Sequence, residues 1–345
     1  VIVFDRHEIV VPLHLPEGVR EVTVELRRDP LSGEQARVTP RRPVSRLAGE
    51  TRLQEVPAEP GPCPLCPEHL PTLTPRLDPR VFPERHLERG EATLFPNLYP
   101  YGRWSAVIAL TTAHLVPLDA YTVAHYTDGL LLAREYAARL AVAGEGGPFV
   151  GVTQNHLPTS GGTLMHPHLQ VQVDERPNNF FDRVQAGLVR HRTAHGSAFF
   201  DELVAEEERL GERFIGWNDD LALLVPFAPR GFAEVWMVFP GLRSLGDLTE
   251  PRAAALASEL VTVLGVYRAL GWNAFNLALT ADERPGSDLP LWCRVVLRGR
   301  FGPFARSDVS FHEKLFEELS TSVPPEMTAE RMRAARDAIG LASFV

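Results

Sequence analysis

The segment His166-Pro167-His168-Leu169-Gln170-Val171-Gln172-Val173 carries the chain's most distinctive set of reactive side chains. Read as a strand it alternates faces. His166, His168, Gln170 and Gln172 then share one face, and Pro167, Leu169, Val171 and Val173 share the other. Two imidazoles and a carboxamide in a row have no obvious packing use; they suit chemistry at phosphorus. A neutral imidazole is a good nucleophile near neutral pH and can split one transfer into two steps through a covalent intermediate. The Gln170 amide can hydrogen-bond a phosphoryl oxygen and stabilise charge there, but it cannot act as a general acid or base. The pattern therefore favours transfer between phosphates over hydrolysis. Pro167 has no N–H for a ladder, which predicts that this end of the strand lies at an edge or margin of its sheet. The preceding loop, Ser160-Gly161-Gly162-Thr163, is built of small residues that let backbone N–H groups approach an anion, with hydroxyls to donate to phosphate oxygens.

A second motif is Cys63-Pro64-Leu65-Cys66. Two thiolates at this spacing fit around one tetrahedral zinc. The redox alternative lacks the strand-then-helix context of a thioredoxin-like motif. Zinc needs two further ligands, and the chain offers twelve His. Spacing does not choose among them, and His69 is the local alternative. Cys293 is the third and last cysteine, too few for a disulfide framework, so a reducing cytoplasm is the expected setting.

The elements that must position these groups are legible in outline. Val19 to Leu26 alternates as a strand, 29–34 is a turn, and Gln35 to Thr39 completes a hairpin. Glu91 to Asn97 leads to a strand at Ser105 to Leu110. Asp119 to Ala143 is helical, with Leu130, Ala133, Ala137 and Leu140 on one apolar face. Phe149 to Thr153 reads as a buried strand, Asn155 to Met165 as a loop, and His166 to Val173 as the reactive strand. The second half repeats this order. Strands fall at Leu221 to Val225 and Glu234 to Phe239, a helix at Pro251 to Leu270 with Thr249 as N-cap, and strands at Ala274 to Leu279 and Leu291 to Leu297. Two helices, Ser310 to Leu319 and Thr328 to Ile339, close the chain. The expected fold is α+β: tandem duplicated domains, each an antiparallel sheet with helices packed on it, residues 1–180 catalytic and residues 181–345 lacking the catalytic motif. The length of 345 residues suits one large domain or two. A net charge of −9 argues against a general nucleic-acid binder but not against a small anionic substrate. No run resembles a transmembrane helix, and Val1 to Arg6, charged by the fifth residue, does not read as a signal peptide.

Taken together, these segments resemble the galactose-1-phosphate uridylyltransferase family, a nucleotidyltransferase branch of the histidine-triad superfamily. The resemblance rests on Asp29-Pro30-Leu31-Ser32-Gly33-Glu34, Thr39-Pro40-Arg41-Arg42-Pro43, the C-x-x-C at Cys63, Phe95-Pro96-Asn97, Ala113-His114-Leu115, Asn155 and His166-Pro167-His168-Leu169-Gln170. It implies that both repeats are histidine-triad-like. It implies one structural zinc on Cys63, Cys66, His114 and His166. It also implies His168 as nucleophile, Gln170 and Thr163 on the transferred phosphoryl group, and Arg41, Arg42, Asn97 and Asn155 on nucleotide or phosphate. The implied substrates are a nucleotide-sugar and a sugar phosphate, as in galactose metabolism, and the implied assembly is a homodimer. The related branch implies another acceptor, with inorganic phosphate in a phosphorylase acting on an ADP-sugar or a dinucleoside polyphosphate. The chain departs from the family at Leu169, where a small residue is usual, and at Leu164-Met165 before the motif. A third reading follows from those departures, a zinc-stabilised protein that binds nucleotide without turnover. Leu291-Trp292-Cys293-Arg294 replaces a His-rich strand, so no second metal is expected. Of the family's hexose-binding cluster, Phe311-His312-Glu313-Lys314 keeps only Glu313 clearly.

Overall fold

A computed structural model describes residues 2–39, 61–299 and 308–342. The chain opens with a long hairpin, β1 (Asp5–Leu15) and β2 (Gly18–Arg28), followed by β3 (Gln35–Val38). The short helix α1 (Leu70–Leu73) follows the C-x-x-C. Then come β4 (Leu87–Arg89), β5 (Ala92–Pro96), β6 (Ser105–Ala109), α2 (Val123–Val142), β7 (Phe149–His156) and β8 (His168–Asp174). The second half runs α3 (Asn179–His195), α4 (Phe199–Leu210), β9 (Phe214–Asn218), β10 (Leu221–Leu224), β11 (Phe232–Phe239), α5 (Glu250–Ala269), β12 (Ala274–Asp282) and β13 (Leu291–Arg298). It ends in α6 (Phe311–Leu315), β14 (Leu319–Thr321) and α7 (Pro325–Ala342).

The strands form two sheets. A four-stranded sheet has the order β1-β2-β3-β14, with the C-terminal β14 running parallel to β3. A ten-stranded antiparallel sheet has the order β4-β5-β6-β8-β7-β12-β13-β11-β10-β9. Its strands from before residue 180 lie on one side and those from after it on the other, joined where β7 pairs with β12. The expected α+β fold of antiparallel sheets and helices is the one observed.

Alternation divides the large sheet into two unlike faces. On one, Leu169, Val171, Val152, Leu277, Leu279 and Val295 meet α2 and α5 in the main core. Each large apolar side chain buried there contributes on the order of 2 kcal/mol. Leu169 belongs to this face and is fully buried. Its Cδ1 lies 3.1 Å from where a Cβ on Gly129 of α2 would stand, so the helix makes room for the large residue. The other face is covered at both ends. Phe181 and Phe200 of α3 and α4 pack on Trp236 and Trp292 at one end. Leu65 and Leu70 pack on Phe95, Val107 and Ala109 at the other. The polar strip between them carries the reactive strand.

The structure moves several sequence-derived boundaries. β8 begins at His168, so His166 lies in the loop before it. β8 is an interior strand flanked by β6 and β7. Pro167 is tolerated because it precedes the ladder, and its carbonyl still accepts from Leu110 N–H at 3.0 Å. β7 runs on through His156, which makes Asn155 a strand residue rather than a loop residue. Thr249 occupies the N-cap of α5 without a side-chain cap bond. The expected helix at 310–319 stops at Leu315 and gives way to β14. Helices α3 and α4 are additions, although Asn178 as cap, Phe181, Val184 and Leu188 at helical spacing, and Gly196 as the stop carry a readable signal for α3.

Candidate active site and metal centre

The C-x-x-C turn before α1, the turn after β6 and the entry to β8 converge. The ligand atoms of Cys63, Cys66, His114 and His166 all lie within 4.8 Å of one another. Cys66 Sγ is 3.4 Å from His114 Nδ1 and 3.7 Å from His166 Nδ1, and Cys63 Sγ is 3.9 Å from His166 Nδ1. Sulfur and nitrogen ligands on one tetrahedral zinc would stand roughly 3.6 Å apart. The donor set and its spacing thus fit a tetrahedral metal ion. His166 Nε2 is 2.8 Å from the Thr111 carbonyl. Its N–H donates there, which directs the Nδ1 lone pair into the cluster. His69 stays outside the cluster.

His168 is buried, with 7% of its surface exposed. Its Nδ1 is 2.7 Å from the His166 carbonyl. A carbonyl only accepts, so the proton sits on Nδ1 and the lone pair on Nε2. The Cys–His cluster and the imidazole are therefore coupled through one residue: His166 gives its ring to the cluster and its carbonyl to His168.

Register places the rest. Gln170 sits opposite Thr153 on β7 and Val107 on β6. Asn155, two residues beyond Thr153, flanks His168 and pairs with Asn276 of β12. Gly161 has a left-handed backbone (φ 92°), and Gly162 has Leu157 O only 3.0 Å from where a Cβ would stand. Their N–H groups donate to Pro158 O and Leu157 O. The two glycines thus shape a tight turn whose amides are already bonded, and Thr163 beyond it is exposed. Asn97 lies opposite Ser105, beside the Gln172 end of β8. That is about 13 Å along the strand from His168. Its carboxamide oxygen accepts from Tyr99 N at 2.9 Å. Arg41 and Arg42 lie outside the described residues.

Beneath the site, on the core face, Tyr126 donates to Gln154 at 2.9 Å, and Tyr121 Oη lies 3.0 Å from His156 Nδ1. Burial pushes His156 down to about 3, so this imidazole stays neutral. Farther along the polar face, Arg294 stacks on Phe180 at 3.8 Å, and burial pushes its guanidinium down to about 10. Thr111, Asn276 and Arg294 are not foreseen from the sequence; nothing in local spacing marks them, since strand pairing and a turn bring them in.

An uncharacterised protein of Archaeoglobus fulgidus is 30% identical over 329 residues, covering 95% of this chain and 97% of the relative. A galactose-1-phosphate uridylyltransferase of Streptomyces lividans is 29% identical over 351 residues, covering 91% of this chain and 88% of the relative. Among solved structures, an ADP-glucose phosphorylase from Arabidopsis thaliana with bound ADP-glucose superposes with a TM-score of 0.69. It shares 16% identity, over 90% of this chain and 98% of that one. No family model matches the sequence. This chain and the ADP-glucose phosphorylase share the fold, α+β with large antiparallel sheets and helices. The chain is thus a homologue of a galactose-1-phosphate uridylyltransferase, in line with the resemblance carried by its motifs. No described helix is long and apolar enough to cross a membrane.

Proposed function

We propose that this protein is a nucleotidyltransferase that works through a nucleotidyl-His168 intermediate. The observation that carries the reading is the 2.7 Å contact from His168 Nδ1 to the His166 carbonyl, which leaves Nε2 as the nucleophilic atom. In the first step Nε2 attacks the α-phosphorus of a nucleoside-diphosphate sugar. The P–N bond forms as the bond from that phosphorus to the bridging oxygen breaks, and a sugar 1-phosphate leaves. Positive charge that develops on the ring is met by the His166 carbonyl. Gln170 stabilises the phosphoryl oxygens by hydrogen bonding, and Thr163 and Asn155 contact the same group. In the second step a phosphate oxygen of the acceptor attacks phosphorus, the P–N bond breaks and His168 is restored. With an amide at 170, no side chain there activates water, so the intermediate persists until an acceptor phosphate arrives.

Two thiolates with two imidazoles are a donor set for tetrahedral zinc, and we assign zinc to Cys63, Cys66, His114 and His166. It would act structurally, holding the His166 peptide that orients His168. The bound nucleotide extends toward Asn97, with Arg41 and Arg42 as further anion contacts. Leu169, turned into the core, gives no ground for lost turnover. The relative's name, a galactose-1-phosphate uridylyltransferase, supports a sugar 1-phosphate as acceptor.

The test is a panel of labelled nucleoside-diphosphate sugars. An acid-labile, base-stable label on the wild type that is absent from His168→Gly supports the mechanism. Nucleotide binding without label from any donor overturns it. Discharge of the label by sugar 1-phosphates supports a transferase, and discharge by inorganic phosphate alone makes the protein a phosphorylase.

A further inference from the structure

Among the described residues the second half brings no imidazole to the site, yet it reaches into it through one polar chain. Asn276 of β12 donates from Nδ2 to Asn155 Oδ1 at 2.6 Å and to the Ser160 carbonyl at 3.0 Å. Its own Oδ1 accepts from Arg298 Nη1 at 2.5 Å. Arg298 is held by Asp308, whose carboxylate accepts from Nε at 2.9 Å and from Nη2 at 2.6 Å. Asp308 is anchored in turn by Gly299 N–H at 3.0 Å.

The direction of this chain is forced. A guanidinium only donates, so Asn276 must turn its oxygen toward Arg298. Both hydrogens of its NH2 then point toward Asn155 and Ser160, which must accept. With Oδ1 committed, Asn155 presents its NH2 to the polar strip beside His168. We propose that Asp308, Arg298 and Asn276 form a polarity relay from the second half that fixes Asn155 as a hydrogen-bond donor to a phosphate oxygen of the bound nucleotide. Asn276 is the central positioning residue. This rests on the nucleotidyl-transfer reading above. It also gives the half without catalytic imidazoles a role in the site, because its register against β7 sets the polarity of a group in the first half and pins the Ser160 turn.

Asn276→Asp tests the relay. The carboxylate keeps its partner Arg298, so the fold is retained. It cannot donate, so Asn155 must rotate and donate to it, which turns an oxygen toward the phosphate. Affinity for UDP and ADP, measured by calorimetry, is expected to fall about 10- to 100-fold, the range for a hydrogen bond to a charged group, with the melting temperature lowered by no more than about 4 °C, because the Ser160 carbonyl also loses its donor. In an Asn155→Ala background the same substitution should cost less than about threefold, because the group it acts through is gone. An equal loss in both backgrounds, or unchanged affinity in Asn276→Asp, overturns the relay while leaving nucleotidyl transfer standing. Wild-type protein that binds neither nucleotide and takes no label from any donor overturns the nucleotide reading and the relay with it.

Discussion

Replacing Cys66 with serine should separate the structural work of the metal from the chemistry of His168. Cys66 Sγ touches both histidine ligands, one 48 and the other 100 residues away in sequence. A metal held there would therefore close two long loops. In the chain-entropy account, closing a loop of about 50 residues restricts the unfolded chain by about 4 kcal/mol, and one of about 100 residues by slightly more. Serine gives up the thiolate, so at least one closure is lost. For 345 residues the unfolding entropy is about 0.7 kcal/mol/K, so a loss of 4 kcal/mol lowers the melting temperature by about 6 °C. The apolar contacts of Leu65, Leu70 and Phe95 are untouched, which keeps the segment folded below that point. Freed from the cluster, the His166 ring still holds Thr111 O, but its carbonyl fixes His168 less firmly. The nucleotidylation rate should fall about 10- to 100-fold, the usual consequence of losing an orienting partner, with a smaller change in nucleotide affinity. The assays are zinc content, thermal melts with and without chelator, and single-turnover labelling. Full zinc content with an unchanged melting temperature in Cys66→Ser would refute the assignment. So would a chelator that strips zinc from the wild type without lowering its melting temperature.

Two further outcomes follow. Gln170→His introduces a group able to activate water where the amide could not; the half-life of labelled His168 in buffer without acceptor should shorten at least tenfold, and an unchanged half-life would show that residue 170 does not guard the intermediate. Glu326 bridges two buried guanidiniums, accepting from Arg27 at 2.7 Å and 3.1 Å and from Arg213 at 3.2 Å. Burial pushes its carboxyl up, but the hydrogen bond and charge of Arg27 outweigh this and hold it below its ordinary value. A lowered folded value means that the unfolded chain binds the proton first, so the contribution is complete above the unfolded carboxylate value and is lost as pH falls through the folded one. Glu326→Gln should cost about 2–4 kcal/mol at pH 7, since it leaves buried guanidiniums under-compensated. That deficit should shrink toward zero on acidification, as read from denaturant midpoints at several pH values. A deficit independent of pH would refute the ion-pair account.

The sequence by itself determined the period of the reactive strand, and with it the split between His168 and Gln170 on one face and Leu169 and Val171 on the other. That follows from covalent geometry, because successive strand residues point to opposite sides wherever the strand lies. It also named the thiolates of Cys63 and Cys66, whose spacing is local. The long helices α2 and α5 were legible for the same reason, an apolar repeat read within one segment.

Everything that depends on which segments meet was decided by tertiary structure. His166 leaves the strand and turns toward Cys63 and Cys66, more than a hundred residues earlier in the case of Cys63, and no local pattern distinguishes it from His69. Pro167 suggested an edge, but β8 is interior because the missing N–H falls just before the ladder begins. Gly161 and Gly162 look like anion-binding backbone in the sequence; folding bonds their N–H groups to Pro158 O and Leu157 O. The direction in which Asn155 points depends on Arg298, 143 positions along the chain, through Asn276. Hydrogen-bond polarity of that kind is a property of a closed chain of donors and acceptors, and only the assembled sheet closes it.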